Sequence, residues 1–354
     1  MKTSRWRARV GLLLAAIFAV TCAPAALAQP ADASALSRLE GPEREARLLE
    51  GARREGEVSV YTSLVVEDMR TVAAAFEARY GVKVKYWRAS SEKILQRAVS
   101  EVRANRFEFD VIETNGPELE AMHREKLLGA ATSAHNADLV PASIRPHKEW
   151  TGLRLNMFVQ AYNTNLVKKA DLPRSYQDLL DPKWKGKLAI EAEDVDWFAA
   201  VVTDLGEKEG LKLFRDVVAA NGIAVRKGHT LLAGLVASGE VPLALTLYHH
   251  NAERLKQKGA PIDSFAIQPV YARVNGIAIG RKVPHPHAAV LFLDFMLGPE
   301  AQAILQKANY VPTNLKLNNP ATRANLRFID PAIVLDNSAR WESSFNEIIT
   351  RQSR

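Results

Sequence analysis

The regular alternation of short extended runs with amphipathic helical runs between residues 58 and 124 constrains this chain most. Val58-Ser59-Val60-Tyr61 is a β-type run ending in Thr62-Ser63. Val66, Met69, Val72, Ala73 and Phe76 then recur at spacings of three and four, the pattern of a helix with one buried face. Gly81 stops that helix, and Val82 to Trp87 alternates as a strand. Ser90-Ser91 caps a second helix carrying Ile94, Leu95, Ala98, Val99 and Val102. Asp110-Val111-Ile112 is a third strand, Thr114-Asn115-Gly116 a turn, and Pro117 suits the first turn of a helix. This order predicts an α/β fold built on a mostly parallel, doubly wound sheet. Ligands of such sheets bind beyond the carboxyl ends of the strands. That places Tyr61, Thr62, Ser63, Ser90, Ser91, Thr114 and Asn115 along one rim.

Beyond a loop-like stretch at 128–152, Leu155 to Tyr162 reads as a crossing strand. A second α/β region follows. It has a strand at Leu188-Ala189-Ile190, helices from near Asp196, over Leu211 to Ala219 and over Thr230 to Ala237, and a strand from Val241 to Leu247. Val274 to Ile279 is a return strand, Ala288 to Leu297 a buried helix, and the tail from 320 onward helical and polar. A chain of 354 residues suggests two domains, each able to bury a core.

The N-terminus reads as a secretory signal over 1–28. Lys2, Arg5, Arg7 and Arg9 form a basic start, and Val10 to Val20 an apolar run too short to cross ~30 Å of hydrocarbon. Ala26-Leu27-Ala28 places cleavage before Gln29. The rival reading is a lipoprotein anchored through Cys22. Twin-arginine export is not supported, because Trp6 separates Arg5 from Arg7. Loss of this segment brings the formal charge of +7 down to about +3, which argues against a nucleic-acid binder. It also removes the single cysteine, and with it disulfides, a thiol nucleophile and thiolate metal sites. The usual catalytic signatures are missing: no G-x-S-x-G, H-E-x-x-H, G-x-G-x-x-G or Walker loop occurs. No enzyme is expected.

Several passages in series resemble the periplasmic solute-binding proteins of ABC importers, in the branch containing the ferric-ion-binding proteins. They are Val58 to Ser63, Ala161-Tyr162-Asn163-Thr164, Ser175 to Leu188 with its Asp-Pro-Lys-Trp-Lys-Gly-Lys run, Gly239 to Ala244, and Tyr310-Val311-Pro312-Thr313-Asn314. The resemblance implies a two-lobed periplasmic binding protein fold of type II, each lobe a sheet flanked by helices, the two joined by crossing strands. It implies a helical lead-in at 29–55, one lobe from 56–155 with 268–315, and a second from 156–267 with 316–354. It also implies a monomer in the periplasm that captures a small solute or metal ion, closes by a hinge, and delivers its cargo to an inner-membrane ABC permease. A sensor module or a periplasmic hydrolase are the alternatives of other classes.

The iron chemistry of that branch does not transfer directly. Ferric members carry two adjacent tyrosines where this chain has His249-His250, with Tyr248 one residue earlier. Val65 or a neighbour replaces the first-loop histidine of some ferric members, and Asn115 stands in place of an acidic ligand. Where ferric relatives hold an anion against a helix start, this chain has Glu191-Ala192-Glu193-Asp194-Val195-Asp196-Trp197. Such an acidic loop repels an anion and favours a cation or an amine. Acids at a helix start also simply stabilise its dipole.

The ligand-binding candidates are therefore Tyr61, Thr62, Ser63, Ser91, Asn115, Tyr162, Glu191, Asp194, Trp197, His229, Tyr248 and His249. Tyr248, His249 and Glu191 are the candidate metal donors, for a metal ion carried as cargo rather than as a cofactor. Adjacent histidines on an extended segment point opposite ways, so one of His249 and His250 faces the cleft. Three solute classes remain open: a cationic or amine-bearing organic solute, a metal ion or chelate, and an anionic or phosphorylated solute.

Overall fold

The computed structural model describes residues 32–317 and 326–351. The expected signal segment, its cleavage site and Cys22 lie outside the described residues. The chain opens with helices α1 (Ser34–Ser37) and α2 (Arg44–Glu55). The alternation read from the sequence follows: β1 (Glu57–Thr62), α3 (Val66–Tyr80), β2 (Lys83–Arg88), α4 (Ser91–Arg103), β3 (Val111–Asn115) and α5 (Gly116–Arg124). Gly81 ends α3 with a φ of 72°, a left-handed conformation that glycine adopts without strain. The Ser90 side chain accepts the Lys93 N–H and caps α4.

Strands β1, β2 and β3 are parallel, with β1 in the middle. After β4 (Leu128–Gly129) the chain runs into β5 (Thr151–Asn163), which begins earlier than the apolar run suggested. The second region holds β6 (Leu188–Glu191), α6 (Val195–Asp204), α7 (Glu207–Asn221), β7 (Ala224–Arg226), α8 (His229–Ser238), β8 (Leu243–Tyr248), α9 (His249–Gln257) and β9 (Ile262–Phe265). The chain returns through β10 (Val270–Gly280), α10 (Pro286–Leu297), α11 (Pro299–Lys307) and β11 (Val311–Pro312). It ends in β12 (Leu326–Ile329), α12 (Pro331–Asp336) and α13 (Ser338–Phe345).

Strand β5 belongs to both halves. Residues up to Met157 pair with β10, and from Phe158 onward the partners are β8 and β9. One sheet therefore runs β2-β1-β3-β10-β5, and the second continues β5-β8-β6-β7. Gly276 lets β10 pass close to its neighbours, since a Cβ there would lie 2.7 Å from the Trp150 ring.

Each sheet has its own core. In the first, Phe76 packs edge-on to Phe292 and Phe295, and nearly all of α10 is buried. In the second, Trp197, Phe198 and Phe214 cluster with Trp341 and Phe345. The tail departs from the polar helical reading. It contributes strand β12, paired with β10, and buries Trp341, Phe345, Ile348 and Ile349 against the second core. Among the described residues no single helix is long and apolar enough to cross a membrane.

Candidate functional site

The carboxyl ends of β1, β2 and β3 face those of β6 and β8 across a cleft of about 290 Å³. On the first wall stand Ser63, Arg88, Ser90, Ser91 and Asn115, with Arg154 and Asn156 from β5 and Tyr310. The second wall carries Glu191, Glu193, Asp194, His229, Thr230, Tyr248 and His250, and Arg273 enters from β10.

The first wall is braced by Glu113, which is 1% exposed. Its Oε2 accepts from the Thr62 hydroxyl at 2.7 Å and from the Ser63 and Leu64 N–H groups at 3.1 Å. Its Oε1 accepts from Arg154 Nη2 at 3.1 Å. Arg154 also donates to Asn156 Oδ1, while its buried Nε has no partner. Asn115 Oδ1 accepts from Asn275 at 3.2 Å and Asn156 at 3.4 Å. Arg88 donates Nε to the Leu64 carbonyl at 3.3 Å, with its side chain exposed at the cleft.

On the second wall both Glu191 oxygens accept backbone N–H groups, from Gly228 at 2.7 Å and Glu193 at 2.6 Å. Burial, and then the Asp194 charge, push the Glu191 carboxyl above its ordinary range. Asp194 is fully buried, yet neither of its oxygens makes a hydrogen bond. His229 Nε2 comes within 3.2 Å of Asp194 Oδ1 and Arg273 Nη2 within 3.5 Å, without a hydrogen bond's alignment. Burial opposes charge on the His229 imidazole, but Asp194 and Glu191 outweigh it and raise the His229 pKa. Its ring stacks on Tyr248 at 3.7 Å, and its Nδ1 is unpartnered.

Arg273 is anchored by Asp196, with Nε 2.6 Å from Oδ2, and its Nη1 donates to the Tyr248 hydroxyl at 2.7 Å. Burial pushes the Tyr248 phenol well above its ordinary pKa, and Arg273 offsets this only in part. Without a metal Tyr248 is therefore a neutral phenol, and a cation bound there would have to displace its proton.

Among the sequence candidates, Ser63, Ser91, Asn115, Glu191, Asp194, His229 and Tyr248 are brought together on the walls. The other five are not. Tyr61 is turned beneath the rim, where its hydroxyl donates to Glu101 at 2.8 Å and its ring packs on Trp87. Thr62 is consumed by Glu113. Tyr162 packs against Phe265 in the second lobe, and Trp197 is wholly buried in that lobe's core. His249 is displaced because His249 and His250 open helix α9 rather than continue the strand. Successive residues diverge by about 100° around a helix. His250 reaches the cleft and His249 does not. The metal-donor set changes accordingly. Glu191, Asp194 and His229 offer donor atoms within 4.8 Å of one another, without His249, and Tyr248 lines the same cleft.

Arg88, Arg154, Arg273, His250 and Tyr310 were not among the candidates. Arg88 ends β2, so the strand-end rule that selected Ser63 applies to it. Arg154 and Arg273 are charges set within otherwise apolar crossing strands, a pattern that itself signals a polar contact.

Residues 116–337, more than half of the chain, match the family of bacterial extracellular solute-binding proteins. This chain belongs to that family. It is 24% identical to iron uptake protein A1 of Synechocystis over 287 residues, 76% of this chain and 79% of that one. It is 22% identical to a putative 2-aminoethylphosphonate-binding periplasmic protein of Salmonella typhi, over 77% of this chain and 81% of the relative. Iron-bound HitA from Pseudomonas aeruginosa superposes with a TM-score of 0.71 at 23% identity, covering 81% of this chain and 98% of HitA. The type II periplasmic binding protein fold expected from the sequence is thereby shown, as is membership among ABC-importer solute-binding proteins. These relatives carry the names of uptake and binding proteins, not enzymes.

Proposed function

We propose that this protein, exported to the periplasm, captures a small amine-bearing solute in the cleft and hands it unchanged to an inner-membrane permease. One observation carries the reading: Asp194 is fully buried on the cleft wall with both oxygens lacking hydrogen bonds. A protonated amine offers three donors and a matching charge, so it supplies the hydrogen bonds that His229 and Arg273, at 3.2 and 3.5 Å from Asp194 Oδ1, do not make. Family membership and periplasmic relatives support the compartment and the transport role. Ligand touching both walls shifts the hinge equilibrium towards a closed form, which the permease then recognises.

The test is isothermal titration of an amine solute into the wild type and the Glu191→Gln/Asp194→Asn double variant. Affinity is expected to fall more than tenfold, about 1.4 kcal/mol or more. Unchanged affinity would remove the acidic loop from the site.

A second reading rests on the clustering of Glu191, Asp194 and His229 donor atoms within 4.8 Å. Two carboxylates and an imidazole suit a divalent cation as cargo. A metal-ion mass on the natively purified protein would favour it over the amine.

A further inference from the structure

The two lobes also meet outside the cleft, and we infer that Arg254 latches them together by contacts that need no solute. Arg254 and Asp68 then set how tightly any solute is held while touching none of it. The inference rests on the two-lobed capture reading and is independent of which solute is captured.

Helix α9 carries His250, Arg254 and Gln257 at spacings of four and three, which puts them on one face. That face lies against the first lobe. His250 lines the cleft, and its ring packs on the Tyr310 ring at 4.3 Å. One turn on, Arg254 Nη2 donates to Asp68 Oδ2 at 2.7 Å and to the Ala308 carbonyl at 3.3 Å. A further turn along, the Gln257 and Asn309 amides exchange two hydrogen bonds, each of 3.0 Å. Asp68 sits in the first turn of α3, just past Val65 on the cleft wall. Neither Asp68 nor Arg254 lines the cleft itself. Each of these bonds runs from protein to protein, so it forms with or without solute.

The contacts are also made to be broken. Tyr310 belongs to the same lobe as Asp68 and donates to the same Oδ2 at 2.8 Å. Asp68 therefore keeps a partner, and its favourable place at the start of α3, when the lobes part. The Arg254 side chain is 22% exposed here and meets water as α9 moves away. Opening strands no buried charge, so it costs only the net worth of the charge-assisted bonds. A second ion pair across the mouth, Lys227 with Glu92 at 3.9 Å, is exposed at both ends, and Lys227 keeps Glu193 at 2.8 Å. It adds little, and the Arg254 edge carries the latch.

A charge-assisted bond of this kind shifts the closed-to-open ratio by about tenfold. A solute that binds only the closed form has an apparent Kd equal to its intrinsic value divided by the closed fraction. Removing the latch therefore weakens capture by about twofold where the free protein is mostly closed, and by up to about tenfold where it is mostly open.

The experiment measures the distance between two nitroxide labels by pulsed electron resonance, in the exported chain freed of co-purified solute. Labels at Arg70→Cys and Lys258→Cys stand on α3 and at the end of α9, both exposed and outside the latch. Cleavage before Gln29 leaves no other cysteine to react. The solute-free wild type is expected to show a short distance as its main population. The short-to-long ratio should fall about tenfold in Arg254→Met and about threefold or more in Asp68→Asn. Arg254→Lys, which keeps the charge, should retain most of the short population.

An Arg254→Met protein that melts cooperatively yet keeps the wild-type distances overturns the inference, because Arg254 then only packs α9. A wild type already as open as Arg254→Met overturns it as well. If Arg254→Met does not fold, unchanged distances in Asp68→Asn overturn it in the same way. The distances are read without solute, so each of these results leaves the capture reading standing. That reading fails instead in the titration of the Glu191→Gln/Asp194→Asn variant.

Discussion

Glu113 and Asp194 are both buried carboxylates at the carboxyl ends of parallel strands, one on each side of the cleft. They are 1% and 0% exposed, so burial does not separate them. Their partners do. Glu113 accepts a hydroxyl, two backbone N–H groups and an arginine, and stitches β1, β3 and β5 together. Asp194 accepts no hydrogen bond. A buried acceptor without a hydrogen bond costs roughly 1–3 kcal/mol, and the cations near Asp194, His229 at 3.2 Å and Arg273 at 3.5 Å, offset only part of that. The first carboxylate belongs to the framework, and the second is left for ligand.

The largest expected effect breaks the framework side. Glu113→Ala strands Arg154 and leaves the buried Thr62 hydroxyl without its acceptor, so urea unfolding should show a loss of about 3–5 kcal/mol. Asp194→Asn should cost less, because it removes only the charge that faces His229 and Arg273 and no hydrogen bond, while solute affinity falls about tenfold or more. A comparable loss of stability in both variants would erase the distinction between them.

A smaller, pH-dependent effect sets His229 against His250, the two rings flanking Tyr248. The His229 pKa is raised above 6.5, against burial, by Asp194 and Glu191. Its contribution to folding is complete below 6.5 and is lost as pH climbs through the raised value. Burial, with Arg154 and Arg254 nearby, drives the His250 pKa well below 6.5. Its contribution is present above 6.5 and fades as pH falls towards the depressed value. Urea midpoints measured across pH should therefore lose their alkaline decline in His229→Asn and their acid decline in His250→Asn. The smallest effect is His249→Ala, which should move affinity by less than about twofold and stability by less than about 0.5 kcal/mol.

The fold was legible because the β-α alternation over 58–124 is a strong periodic signal, and the acidic loop stood out by charge alone. The side-chain directions were not. A strand running on through Ser63 would put Tyr61 and Ser63 on one face, but β1 stops at Thr62, so Tyr61 lies beneath the rim while Ser63 stands on it. The sequence places His249 and His250 on an extended segment after the strand, where helix α9 in fact begins. Arg154 and Arg273 escaped notice because their neighbours on β5 and β10 are apolar, and their ion-pair partners lie far away in sequence. The tail's apolar residues, Trp341, Phe345, Ile348 and Ile349, are spaced at four, three and one, a helical stripe diluted by polar neighbours.

The central claim is that Asp194 awaits the ammonium of a captured solute. Native mass spectrometry of the gently purified wild type beside Asp194→Asn tests it most directly. The account predicts an amine-containing organic mass on the wild type that is absent from the variant, with both ligand-free proteins unfolding cooperatively. A metal-ion mass on the wild type, or the same organic mass retained by Asp194→Asn, would contradict it.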